Sequence, residues 1–187
     1  MAKGETGLLV IGVGNPDRGD DGIGPLVARQ LRGRVSPDVA IIERSGDALA
    51  LIDDWAGREA VILVDAAAPG SAPGRVHRID LLADALPPEV SLSSTHAFGV
   101  AEAVGLAHTL GLLPAQVIAY AIEGANFDPG APVSPLVAAA AGEVVTRVAA
   151  ELRRLGERRG VSATGDDAPV TGPKSRTVTT PGAPGHA

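Results

Sequence analysis

Short aliphatic runs recur along most of the chain, and each is bounded by glycine, proline or charged residues. Leu8–Gly12, Val39–Glu43, Ala60–Asp65, Arg75–Asp80 and Gln116–Glu123 read as strands. Runs such as Val61-Ile62-Leu63-Val64 are apolar at every position, the pattern of strands covered on both faces of a parallel sheet. Between the strands, Pro25–Leu31, Ala48–Trp55, His96–Leu110 and Pro135–Arg159 carry helical spacing. Ser134 is placed to cap the last helix ahead of Pro135, and the basic stretch Arg153 to Arg159 suits the negative end of its dipole. Strands alternating with helices predict an α/β fold, a three-layer α/β/α sandwich around a twisted, mostly parallel five-stranded sheet. Only a Gly/Pro-rich loop separates Asp65 from the Arg75–Asp80 strand, so that strand is expected to be antiparallel or at an edge.

The pattern stops at Gly160. Val161 to Ala187 is built from Gly, Pro, Ser, Thr and Ala with scattered charges, and such a segment buries too little apolar area to offset its ordering entropy. The chain therefore divides into one domain, 1–159, and a tail, 160–187, read as disordered. With 16 basic and 22 acidic residues the net charge is −6, which argues against nucleic acid or an anionic membrane as partner. No signal-peptide pattern or bilayer-length apolar run is evident, so the expected location is the cytoplasm; no exposed apolar stripe is evident either, so the expected state is an acidic monomer. Cysteine is absent, which removes thiolate nucleophiles and thiolate metal sites.

Chemistry concentrates where the strands end. Gly12 to Gly24 reads Gly-Val-Gly-Asn-Pro-Asp-Arg-Gly-Asp-Asp-Gly-Ile-Gly, a glycine-rich turn after a buried strand. A phosphate loop would offer N–H groups and cations there, whereas this one carries Asp20 and Asp21. Ligands of open α/β sheets bind at the carboxyl ends of the parallel strands. That rule gathers Asp20 and Asp21, Glu43 to Asp47, Asp65 and Glu123 at one rim, with His96 opening a helix beside them. Two carboxylates and an imidazole form an oxygen/nitrogen donor set for a borderline divalent metal such as nickel, zinc or cobalt. Such a site can polarise a carbonyl and activate water.

Each residue also has a structural reading. Asp65 can cap a turn, one of Asp20 and Asp21 can cap the following helix, and Asp47 reads as the N-cap of Ala48–Trp55. Asn15 belongs to a Gly-Asn-Pro turn, and Glu43 can be a solvated strand end. His96 alone reads as a surface or capping residue, while His77 and His108 read as solvated or packing residues. Their convergence raises the functional reading above these.

In order, Gly-Val-Gly-Asn-Pro-x-x-Gly-Asp-Asp-Gly-Ile-Gly, Ile-Leu-Val-Asp-Ala-Ala and Ser-Thr-His-Ala-Phe-Gly resemble the hydrogenase maturation endopeptidases over about Leu8 to Leu155. The resemblance implies a twisted sheet between helices and metal-facing residues at Asp21, Asp65 and His96. It also implies removal of a C-terminal extension from a [NiFe]-hydrogenase large-subunit precursor, whose own installed nickel is recognised. A further acidic residue implicated in cleavage falls on Glu43. Many members read Asp-Gly-Gly-Thr there, whereas this chain has Glu43-Arg44-Ser45-Gly46, with Asp47 able to share the role. Two other classes stand beside this one. A non-catalytic nickel-sensing chaperone would bind the precursor without cutting it. A nucleotide-binding oxidoreductase would need a third glycine at position 17, where the chain has Asp.

Overall fold

The computed structural model describes residues 7–69, 71–83 and 97–163. Strands β1 (Leu8–Val13), β2 (Ala40–Arg44), β3 (Ala60–Ala67), β4 (Val76–Asp80) and β5 (Gln116–Glu123) form one sheet in the order β2-β1-β3-β5-β4. All neighbours are parallel except β4, which runs antiparallel to β5 at the edge, as the missing crossover helix requires. Helices α1 (Ile23–Leu31), α2 (Ala48–Trp55), α3 (Ala97–Leu110) and α4 (Pro135–Ala163) cover the two faces. The predicted α/β/α sandwich, with one antiparallel strand among five, is the fold observed.

Alternation along each strand sorts the core into two halves. Leu8, Val10, Ile62, Val64, Ile118 and Tyr120 face α1 and α4. Leu9, Ile11, Val61, Leu63, Val117 and Ala119 face α2 and α3. Because both faces are covered, β1 and β3 are buried at every position, which explains their unbroken aliphatic sequences. From β1 the chain passes outward to β2, then returns to β3 on the other flank of β1. The crevice between the carboxyl ends of β1 and β3 is thus the topological switch point of the sheet.

Some boundaries move. Helix α1 begins at Ile23 rather than Pro25, continuing a 3-10 turn over Gly19–Gly22, so Asp20 and Asp21 lie inside the helical entry. Its N-cap is Gly22 with no side-chain cap, so neither aspartate caps α1, contrary to the capping expectation. Strand β3 runs two residues past Asp65, and α4 continues to Ala163, past Gly160. Asp47 caps α2 as expected, accepting from Ala50 N at 2.9 Å. Residues 164–187, read above as a disordered tail, lie outside the described residues, as does His96. No described helix is long and apolar enough to cross a membrane.

Candidate active site

Two glycines let α1 close over the switch crevice. A Cβ on Gly24 would collide with the carbonyl oxygens of Val13 and Val64, so α1 rests directly on the ends of β1 and β3 only because that side chain is missing. Gly14 has φ +131, and a Cβ there would strike the Asp21 carbonyl oxygen. The two ends of the glycine loop therefore lie against each other. Asn15 stabilises the turn from both sides: its Oδ1 accepts from Asp17 N, and its N–H donates to Asp21 Oδ2, each at 2.9 Å.

The adjacent aspartates have separate tasks. Asp20, completely buried, accepts from the backbone N–H groups of Ala125 (2.7 Å), Asn126 (2.9 Å) and Ser134 (2.5 Å), and from the Ser134 hydroxyl (2.9 Å). Burial alone would raise its pKa; these donors together outweigh it and hold the carboxyl below the usual range. Asp20 ties the glycine loop to the turn after β5 and to the start of α4. Ser134 does precede α4, but its hydroxyl is donated to Asp20.

Asp21 and Asp65 form the pair at the crevice. Asp65 sits inside β3, opposite Ala121 of β5, and is 2 % exposed. Its Oδ1 accepts from Ala66 N at 2.8 Å, while Oδ2 is buried with no hydrogen-bond partner among the described residues. Desolvation, with the negative charge of Asp21 adding to it, pushes the Asp65 carboxyl up to about 8 against the lowering effect of the Ala66 N–H. A second anion beside a buried carboxylate is unfavourable unless a proton or a cation intervenes. The pair is thus built to hold one or the other.

The remaining rim residues distribute by strand parity. Glu43 follows Ile41 on the α1/α4 face, opposite to that of Leu63 and Asp65, and its carboxylate meets Arg32 (3.1 Å) and Arg29 (3.6 Å). The structure therefore does not bring Glu43 to Asp21 and Asp65. Its neighbour Arg44 points to the α2 face and forms a two-pronged pair with Asp54, at 2.6 and 2.7 Å. Asp47 is committed to α2, as above.

Glu123 and His77 emerge together on the Asp65 face. Glu123 Oε1 lies 2.8 Å from His77 Nε2 and Oε2 accepts from Ala72 N at 3.1 Å, with Arg75 at 3.8 Å. The His77 hydrogen bond is the main cause that holds the Glu123 carboxyl below its usual range. His77 was expected to be solvated or packing. It shares a part-buried hydrogen-bonding site with Glu123, which strand alternation reveals only once the β4–β5 register is fixed.

Among the described residues no three His, Asp or Glu side chains come together as a metal cage. Asp21 and Asp65 supply two oxygen-donor side chains, and the orphaned Asp65 oxygen fits a cation. Helix α3, which packs on the Asp65 face through Val100 and Ala103, begins one residue after His96.

A sequence profile of the hydrogenase maturation proteases (HycI) matches residues 25–151. The chain belongs to that family. The matched segment contains Asp65 and position 96, while the glycine loop with Asp21 precedes it. Among curated proteins, none matches the chain. Solved structures share the fold. One is the hydrogenase maturating endopeptidase HybD from Escherichia coli, with 24% identity, TM-score 0.66, and 80% of this chain and 93% of that one covered. Another is the solution structure of an endopeptidase from Escherichia coli, with 25% identity, TM-score 0.70 and the same coverage. The [NiFe] hydrogenase maturation protease HybD from Thermococcus kodakarensis matches with 23% identity and TM-score 0.61, over 78% of this chain and 97% of that one.

Proposed function

We propose that this hydrogenase maturation protease is a cytoplasmic, nickel-dependent endopeptidase that removes the C-terminal extension of a [NiFe]-hydrogenase large-subunit precursor once nickel is installed. The observation that carries the reading is the buried Asp21–Asp65 pair in the switch crevice, where an orphaned carboxylate oxygen fits a cation. In this reading nickel arrives with the substrate, and Asp21, Asp65 and His96 complete its coordination. Oxygen donors with one imidazole suit that borderline metal.

Bound there, nickel would position the scissile peptide and act as a Lewis acid. Hydrolysis adds water to the scissile carbonyl carbon and breaks its bond to nitrogen, leaving a carboxylate and an amine. A carboxylate of the pair is placed to take the proton from that water, and the amine leaves with a proton. The sequence has no cysteine, so no thioester intermediate is available. Glu43 has the supporting part in this scheme, fixing α1 to β2 through Arg29 and Arg32.

Mass spectrometry of nickel-loaded precursor, incubated with and without the protein, tests the reading. Loss of one defined C-terminal peptide is expected with the wild type and with Glu43→Gln, and none with Asp21→Asn, Asp65→Asn or His96→Ala. An unchanged precursor mass with the wild type would instead identify a nickel-sensing chaperone.

A further inference from the structure

At the opposite, amino end of the sheet, Leu8 contributes to a cavity of about 340 Å³ between the segment after α1 and the C-terminal half of α4. Val35, Val39 and Leu152 make its lining aliphatic. No carboxylate lines it, but two guanidinium side chains do, those of Arg34 and Arg153. Through Val35 and Val39 it continues into a second cavity, of about 450 Å³, that reaches Pro37 and Ile41.

The charged residues that line the two cavities are all arginines, while Asp38 beside them accepts from the Ser36 hydroxyl at 3.4 Å. Arg29 and Arg32 pair with Glu43, Arg78 and Arg154 with Glu151, and Arg147 with Glu143. Arg34 and Arg153 have no side-chain hydrogen bond or ion pair with any described residue. In a chain of net charge −6, two such cations at one apolar cavity complement a ligand that combines aliphatic groups with carboxylates. Two cavities in tandem favour an extended peptide over a compact molecule, since alternate side chains of a strand stand roughly 7 Å apart on one side.

We propose that this groove docks an extended segment of a partner protein in which aliphatic side chains are flanked by acidic ones. The site is at the opposite end of the strands from Asp21 and Asp65, so a partner seated in it leaves the crevice open. It does not depend on the proteolytic chemistry proposed above.

Fluorescence polarisation with the full chain tests it, using a labelled Glu-Leu-Val-Leu-Glu peptide beside Lys-Leu-Val-Leu-Lys and Glu-Ser-Gly-Ser-Glu. Saturable binding of the first alone is expected. The double variant Arg34→Glu/Arg153→Glu should weaken it at least tenfold and prefer the lysine peptide. Gly156→Leu offers a second check: a Cβ at this groove residue on α4 meets nothing within 4 Å, so the variant is expected to fold while its side chain fills the cavity. It should bind at least tenfold more weakly with a thermal midpoint no lower than that of the wild type. Absence of saturable binding, equal binding of the three peptides, or undiminished binding by Gly156→Leu overturns the proposal. So does uptake of dodecanoate with no peptide binding.

Discussion

Asp20 and Asp21 are adjacent in sequence, yet one is saturated with donors and the other faces a second carboxylate. Replacing the buried Asp20 with Ala would leave the N–H groups of Ala125, Asn126 and Ser134 without their carboxylate acceptor. A loss of about 3 kcal/mol in chemical denaturation is expected, because hydrogen bonds to charged acceptors exceed neutral ones. Asp65 has the opposite sign. Its folded pKa, about 8, lies above the ordinary 3.8, so between those values the unfolded chain ionises while the native carboxyl keeps its proton. Its contribution to stability is present below about 4 and is lost as pH rises toward 8, with a slope of up to about 1.4 kcal/mol per pH unit. Metal-free Asp65→Asn should therefore match the wild type near pH 4 and exceed its stability by at least about 1 kcal/mol at pH 8. Denaturant midpoints at the two pH values check this, and a gap that fails to widen with pH would refute the raised pKa.

At the scale of elements, one glycine decides how closely α1 approaches the sheet. Gly24→Ala would drive a methyl into the carbonyls of Val13 and Val64, and a destabilisation of about 2–3 kcal/mol is expected from thermal melting. The central strands are legible because their aliphatic runs are unbroken; strand Gln116–Glu123 and helix Ala48–Trp55 have the predicted bounds, and other elements shift by a few residues at their ends. The carboxyl-end rule also brought Asp21 and Asp65 to one crevice. Sequence could not say which strand faces align, because parity within a strand is visible but cross-strand register is not. Glu43 was therefore grouped with Asp65, although Ile41 ahead of it packs against α1 and α4. Register likewise hid the pairing of His77 with Glu123, whose partners lie 46 residues apart. The helical entry over Gly19–Gly22 was masked by glycines that read as a loop.

Across the whole molecule the buried carboxyls titrate against one another. Asp20, Glu123 and Glu151 are held below their ordinary values, the last chiefly by hydrogen bonds from Arg78. What they contribute is present above the unfolded pKa and is lost as pH falls through the folded one. Asp65 erodes stability in the other direction, from about pH 4 up to about 8. The metal-free protein should accordingly show its highest thermal midpoint in mildly acidic buffer, at roughly pH 5. A midpoint that climbs steadily to pH 8 would count against this balance. The sheet order has a consequence of another kind. β2 and β4 are its two rails, and the pairings of Arg75 with Glu123 and Leu81 with Val117 turn the main-chain groups of Val76, Arg78 and Asp80 outward. Glu43, Arg44, His77, Arg78 and Asp80 all lie on those rails, while the aliphatic strands β1 and β3 are enclosed. A neighbouring molecule that tried to add its strand to either rail would meet charge rather than a bare hydrophobic ribbon, which guards the fold against edge-to-edge aggregation.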